Sequence, residues 1–150
     1  MKFYESGDNR KPVIFLFPGT CCLYSSFDHV LAGLHSYFYT VTVSYDGFLN
    51  MFGIDKGGSP WITKQSIYNQ FYSDLVTKVQ HGIDVPGTTI HVFYATKMGE
   101  KYEKRYYTYF KNPDIRRHNM QHEELFCCHS AEWVEEVRKS VWLGEGKSLC

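Results

Sequence analysis

The sequence lacks an excess of either charge, since 16 Lys and Arg residues are balanced by 16 Asp and Glu residues. A protein that binds nucleic acid or an anionic membrane needs a basic patch, so this balance argues against both partners. The sequence also lacks a long apolar run, and residues 1–8 contain neither an apolar core segment nor a small-residue cleavage site. We therefore expect a cytoplasmic protein that neither crosses nor binds a membrane.

Spaced cysteine pairs are lacking as well. The 5 cysteines comprise two adjacent pairs and the last residue: Cys21, Cys22, Cys127, Cys128 and Cys150. An odd number in this pattern predicts free thiols in a reducing compartment and no disulfide framework. Cys127, Cys128 and His129 resemble a metal site together with His122, but adjacent cysteines point in different directions and zinc sites use spaced pairs. We therefore expect no metal and no cofactor.

The sequence does contain alternating strand and helix patterns. Residues 13–17, 38–45 and 88–95 have the β-branched and aromatic composition of buried strands, and residues 114–120 form a weaker fourth candidate. The expected helices are one capped by Ser25 or Ser26 that reaches about residue 34, then residues 63–80 and 100–110, and a last helix from Ser130 to about Gly144. This order predicts one α/β domain over residues 1–150, with three layers and a mostly parallel sheet flanked by helices.

The longest predicted helix carries a stripe of apolar residues at helical spacing: Ile67, Phe71, Leu75 and Val79. We expect this stripe to lie in the core. The stretch that precedes the helix, residues 47–60, contains four glycines and no strand pattern, and it is interpreted as an irregular crossing. If a central strand is lacking there, part of the stripe and one sheet edge are uncovered, which predicts a homodimer.

Several of these segments together resemble bacterial α/β-hydrolases. Residues 13–20 and 39–47 resemble the family's opening strands with their Pro-Gly and Asp-Gly-Phe turns. Residues 89–101 resemble its acid-bearing strand and turn, and residues 122–125 resemble the loop of its catalytic histidine. The resemblance covers more than half of the chain and implies a truncated hydrolase fold of the carboxylesterase type.

The chain departs from this family where the nucleophile belongs. No segment fits G-x-S-x-G, the sharp turn that presents the nucleophilic serine. Between the second and third strands the only serine in a glycine context is Ser59, and no apolar strand precedes it. Pro60 follows it and has no backbone N–H to donate to an oxyanion. We therefore expect Ser59 to be a loop residue, and a nucleophile only as the alternative.

The resemblance also implies roles for two residue types in the second half of the chain. His122 corresponds to the general base, and the alternative is a polar residue that opens a helix. Glu103, favoured slightly, and Glu100 compete for the orienting acid, and the alternative for each is a solvated helix position. His118, which follows Arg116 and Arg117, is expected at the surface of the last strand.

Residues after the first apolar strand correspond to the oxyanion-hole loop. Gly19, Thr20 and Cys21 occupy this place, although a Pro-Gly turn also closes many strands that have no such role. Cys21 is considered as a thiol nucleophile with His122 as its base, but it follows the wrong strand for an elbow.

Two functions therefore remain open from the sequence. The first is a protein of serine ester hydrolase ancestry, impaired or inactive because no nucleophile is identifiable. The alternative is a non-catalytic binding or self-associating module that uses an aromatic-rich cleft. The partners expected are a small apolar ester-like ligand and a second copy of the chain.

Overall fold

The computed structural model describes residues 2–19, 22, 24–44 and 64–142. These residues belong to two compact units, Met1–Thr77 and Lys78–Cys150, and in each unit the described residues form one small β-sheet with helices. The α/β class predicted from the sequence is therefore confirmed. The prediction of one domain over the whole chain stays a prediction.

The described residues of the first unit form three strands and two α-helices. They are β1 (Lys2–Ser6), β2 (Val13–Leu16), α1 (Asp28–Leu34), β3 (Tyr39–Ser44) and α2 (Lys64–Val76). The central strand β3 pairs antiparallel with β1 and parallel with β2, so this sheet is mixed. Strands β2 and β3 confirm two predicted strands, whereas β1 was not predicted.

One face of this sheet is covered by the segment that contains α1. Tyr24, in the 3₁₀ turn Tyr24–Phe27 before the helix, stacks on Tyr4 of β1 with ring centroids 3.9 Å apart. Val30 and Leu34 of α1 are 1% and 0% exposed. The helix begins at Asp28 and its N-cap residue is Phe27, which makes no side-chain capping bond. The prediction that Ser25 or Ser26 caps it is wrong, because both serines lie in the 3₁₀ turn.

A glycine allows the close approach of α1 to the end of β1. Gly7 has a φ of +97°, and a Cβ built there would lie 3.0 Å from Cδ2 of His35 and 3.2 Å from the carbonyl of Phe38. Glycine suits this position because it tolerates a positive φ and has no Cβ to meet these atoms.

The apolar stripe of α2 is not in the core. Phe71, Leu75 and Val79 are 54%, 83% and 56% exposed, so the core prediction is wrong for these three. The helix ends at Val76, before Val79. The side chain of Ile67 lies outside the described residues. Apolar periodicity identifies a surface that favours burial, but it does not identify the partner that buries it.

In the second unit, the part that the structure describes forms two parallel strands and three α-helices. They are β4 (His91–Ala95), α3 (Glu100–Tyr109), β5 (Asp114–His118), α4 (Glu124–Cys128) and α5 (Ser130–Trp142). All but the short α4 were predicted. Helix α3 packs on the face of Tyr94, whose ring lies edge-on to Tyr106. Helix α5 packs on the opposite face, where Glu136 accepts a hydrogen bond from Arg116.

No helix in the described ranges is both long and apolar enough to cross a membrane.

Candidate functional site

A pocket of about 190 Å³ opens at the carboxyl ends of β4 and β5. Ala95 and His118 end the two strands and line it, and the turn residues Met98 and Met120 that follow them line it too. Ligands of parallel α/β sheets bind at this edge, because the connections that leave the strands surround a crevice there. The pocket is therefore the candidate site of the second unit.

Five of the 13 described residues that line the pocket have Phe, Tyr or Trp side chains. They are Phe93 and Tyr94 of β4, Tyr106 of α3, Phe126 of α4 and Trp133 of α5. Tyr94 and Tyr106 meet edge to face at 5.9 Å, and Phe126 and Trp133 do so at 5.2 Å. Tyr94 is 2% exposed, and its hydroxyl donates to the carbonyl of Gly99. Burial raises the pKa of Tyr94 above its ordinary value, so this hydroxyl stays protonated.

His118 is a largely buried polar residue of the pocket. Its side chain is 14% exposed, and Nδ1 lies 3.9 Å from a carboxylate oxygen of Glu132 on α5. Its ring lies edge-on to Phe93, and its Nε2 is buried without a hydrogen-bond partner in the described part of the chain. The surface position predicted for His118 is wrong, because the strand register pairs it with Ala95 on the face that α5 covers.

His122 lies at the mouth of the pocket with its side chain 71% exposed, and its Nε2 is 3.7 Å from a carboxylate oxygen of Glu123. Glu123 has a left-handed backbone, with φ of 61°, at the N-cap of α4. The next residue, Glu124, accepts a hydrogen bond from the backbone N–H of Gln121. The predicted histidine loop is therefore a tight turn that leads into a short helix.

The glutamates predicted as the orienting acid have other partners. The Nε–H of Arg117, which lies on β5, is shared between the two carboxylate oxygens of Glu103 at 3.1 Å from each. This contact raises the pKa of Arg117. Glu100 is 91% exposed and lies 3.9 Å from Lys104. Within the described residues, neither glutamate is hydrogen-bonded or ion-paired to His122, and their catalytic roles stay predictions.

The residues predicted for the oxyanion loop and the nucleophile belong to the first half of the chain. Gly19 is exposed, and its carbonyl accepts a hydrogen bond of 3.1 Å from the N–H of Cys22. Thr20, Cys21 and Ser59 lie outside the described residues.

Sequence reasoning missed a polar cluster in the first unit. Nε2 of His35 lies 3.0 Å from Oγ of Ser6 and 3.1 Å from Oγ1 of Thr40. The two hydroxyl oxygens are 2.8 Å apart, and the hydroxyl of Thr40 donates to the carbonyl of Ser6 at 3.1 Å. The cluster joins β1 and β3 to the residue after α1. No local signal reveals it, since 29 residues separate Ser6 from His35.

Sequence reasoning also missed an ion-pair network at the amino ends of β4 and β5. Nδ1 of His91 lies 2.8 Å from a carboxylate oxygen of Asp114, which Arg116 also contacts at 3.2 Å. Arg116 reaches Glu136 on α5 at 3.0 Å, and Lys139 contacts the same glutamate. The hydrogen bond from His91 lowers the pKa of Asp114. The network connects both strands to α5.

Within the described residues, no cluster of three or more His, Cys, Asp or Glu side chains has a geometry that would hold a metal ion. Comparison with known proteins adds no further constraint on the site: no family model, no curated protein and no solved structure matches this chain.

Proposed function

We propose that this chain is an α/β-hydrolase-like protein whose pocket binds a small, mainly apolar, ester-like ligand without forming a covalent intermediate. The frame proposed is the three-layer, mostly parallel arrangement of that family, in shortened form. One observation carries the proposal: the described residues that line the pocket include five aromatic side chains and two imidazoles but no Ser, Thr or Cys. Acyl transfer through the enzyme needs such a nucleophile beside the base.

The dimensions of the pocket support a ligand with a single ring or a short acyl chain. The volume of about 190 Å³ is slightly above that of the engineered apolar cavity of about 150 Å³ that binds benzene. The aromatic walls give such a ligand a large contact area, and a few polar groups at the mouth are positioned to fix its orientation.

A pocket-filling substitution tests the binding function. Ala95 lines the pocket at the end of β4, so Ala95→Leu should weaken the binding of phenyl acetate at least about tenfold, because new methyl groups occupy ligand space. The matched control is Ala131→Leu, at an exposed position of α5, which should leave binding unchanged. Isothermal titration of the full chain measures both, and far-UV circular dichroism verifies the fold. Equal binding by the two variants would rule out this pocket as the ligand site.

Serine hydrolysis is the second candidate, and the position of His122 at the carboxyl edge of the sheet favours it. Fluorophosphonate labelling, combined with turnover of p-nitrophenyl acetate, separates the two functions. The proposal predicts neither labelling nor turnover. Labelling that disappears in Ser59→Ala would instead establish a serine nucleophile.

We also propose that the chain self-associates, which the exposed apolar residues of α2 support. Tyr68, Phe71, Tyr72, Leu75 and Val76 are each more than half exposed. A second copy of the chain offers the same surface, as a symmetric dimer requires. Light scattering at low micromolar concentration tests this, and a monomeric mass at all concentrations would contradict it.

A further inference from the structure

The acidic and basic side chains that line the pocket of the second unit are not balanced in number. Among the described lining residues, Glu123 is the only Asp or Glu, and none is Lys or Arg. The guanidinium groups of Arg116 and Arg117 on β5 are already paired, since Arg116 contacts Asp114 and Glu136 and Arg117 contacts Glu103. A ligand in the pocket therefore meets one carboxylate and no free guanidinium group from these two residues.

The aromatic walls favour the same sign of ligand charge. The face of an aromatic ring carries negative potential, so rings that surround a cation attract it. In the pairs Tyr94–Tyr106 and Phe126–Trp133 the ring planes are inclined by 72° and 69°. Each pair therefore lines the pocket with two rings of different orientation.

The backbone of Glu123 is a separate observation that points to its side chain. Its φ of 61° places it in the left-handed region, where Gly and Asn are the favoured residues. A glutamate there raises the energy of the backbone and makes no side-chain capping bond to α4. Such strain is concentrated at functional positions, where the side chain has a role other than stability.

We infer that the pocket binds a small organic cation with a methylated ammonium group, held by the aromatic walls and with Glu123 as its counter-ion. This inference rests on the proposed binding function and narrows the ligand to an ester or alcohol of such a cation. His122 is the competing group, since its Nε2 is 3.7 Å from the Glu123 carboxylate. The ligand cation therefore either replaces His122 as the partner of the Glu123 carboxylate or shares the carboxylate with it.

Choline and its uncharged carbon isostere, in which a tert-butyl group replaces trimethylammonium, form the test pair. Isothermal titration of the full chain should give tighter binding of choline. Glu123→Gln keeps the size of the side chain and removes its charge, so choline should bind about fivefold more weakly while the isostere is unaffected. Trp133→Leu should weaken choline binding about fivefold through loss of one aromatic wall.

A second variant guards against an effect of misfolding. Asn tolerates the left-handed backbone, so Glu123→Asn should unfold at the same or higher urea concentration than the wild type and still lose the preference for choline. If the isostere binds as tightly as choline and Glu123→Gln changes neither, this inference is wrong and the proposed function survives. If neither choline, nor the isostere, nor phenyl acetate binds, both are wrong.

Discussion

Replacing His118 by phenylalanine should stabilise the protein, although most substitutions at covered positions destabilise it. Nε2 of His118 is buried and has no hydrogen-bond partner among the described residues. A buried polar atom left unpaired costs about 1–3 kcal/mol. Phenylalanine removes this cost and keeps the edge contact with Phe93, whose ring centroid lies 6.1 Å away.

The opposing contributions are small. The substitution removes the contact of Nδ1 with Glu132, but that distance is 3.9 Å and the glutamate side chain is 51% exposed. An ion pair of this kind contributes at most about 0.5 kcal/mol. The larger ring can extend into the adjoining pocket of about 190 Å³. The net gain should be about 1 kcal/mol, which for a protein of this size raises Tm by about 2–4 °C.

Urea unfolding followed by tryptophan fluorescence measures the effect. The midpoint should rise while the slope m stays constant, which identifies a change in stability alone. The matched control is His129→Phe, because the side chain of His129 is exposed at the end of α4. Its unfolding free energy should change by less than about 0.5 kcal/mol. A fall of the midpoint in His118→Phe would refute the reasoning, because it would mean that the imidazole has a stabilising partner.

Three other results are expected from urea unfolding. Gly7→Ala should lower the unfolding free energy by at least about 1 kcal/mol more than Gly82→Ala, since both glycines have positive φ but only the first lacks room for a Cβ. Equal losses would show that the clash relaxes. Leu34→Ala should cost about 3 kcal/mol because Leu34 is 0% exposed. Leu75 is 83% exposed, so Leu75→Ala should cost less than about 0.5 kcal/mol at concentrations below those at which the chain self-associates. A large loss at Leu75 under these conditions would mean that α2 is covered within the monomer. Asp114→Asn should be less stable than the wild type near neutral pH, with the difference vanishing on acidification. The lowered pKa of Asp114 stabilises the fold above the unfolded value of about 3.9, and this stability is lost as pH falls through the folded pKa. The carboxylate is 46% exposed, so the difference should stay below about 1 kcal/mol. A difference that persists at pH 2 would contradict the linkage.

The elements with strong local patterns were predictable from the sequence. The apolar run at residues 13–17 and the β-branched run at residues 38–45 contain β2 and β3, each with slightly narrower bounds. Strand β1 was missed because Lys2 and Glu5 interrupt its short pattern. It is an edge strand, which β3 stabilises through pairing that no local pattern reveals.

The environment of the site residues was less predictable. Arg116, Arg117 and His118 in succession are typical of a solvated strand. Side chains alternate between the two faces of the strand, however, so Arg117 lies against α3 whereas Arg116 and His118 lie against α5. Glu103 and Glu136 supply the charges that make this placement favourable. These partners lie 14 and 20 residues away from the two arginines, so their pairing depends on the tertiary fold.

The two ends of the small parallel sheet differ in how well their polar groups are satisfied, and this difference favours the pocket at the carboxyl end as the candidate site, independently of any catalytic role. At the amino end, His91, Asp114 and Arg116 form a connected network that pairs the charges of both strands. That network includes a histidine–carboxylate pair, but its satisfied contacts indicate a structural role. At the carboxyl end, Nε2 of His118 has no hydrogen-bond partner among the residues that the structure describes, and Glu123 has a strained backbone. A fold tolerates unsatisfied and strained groups mainly where a ligand later uses them. The pocket between these two residues is therefore the place where binding should be tested first.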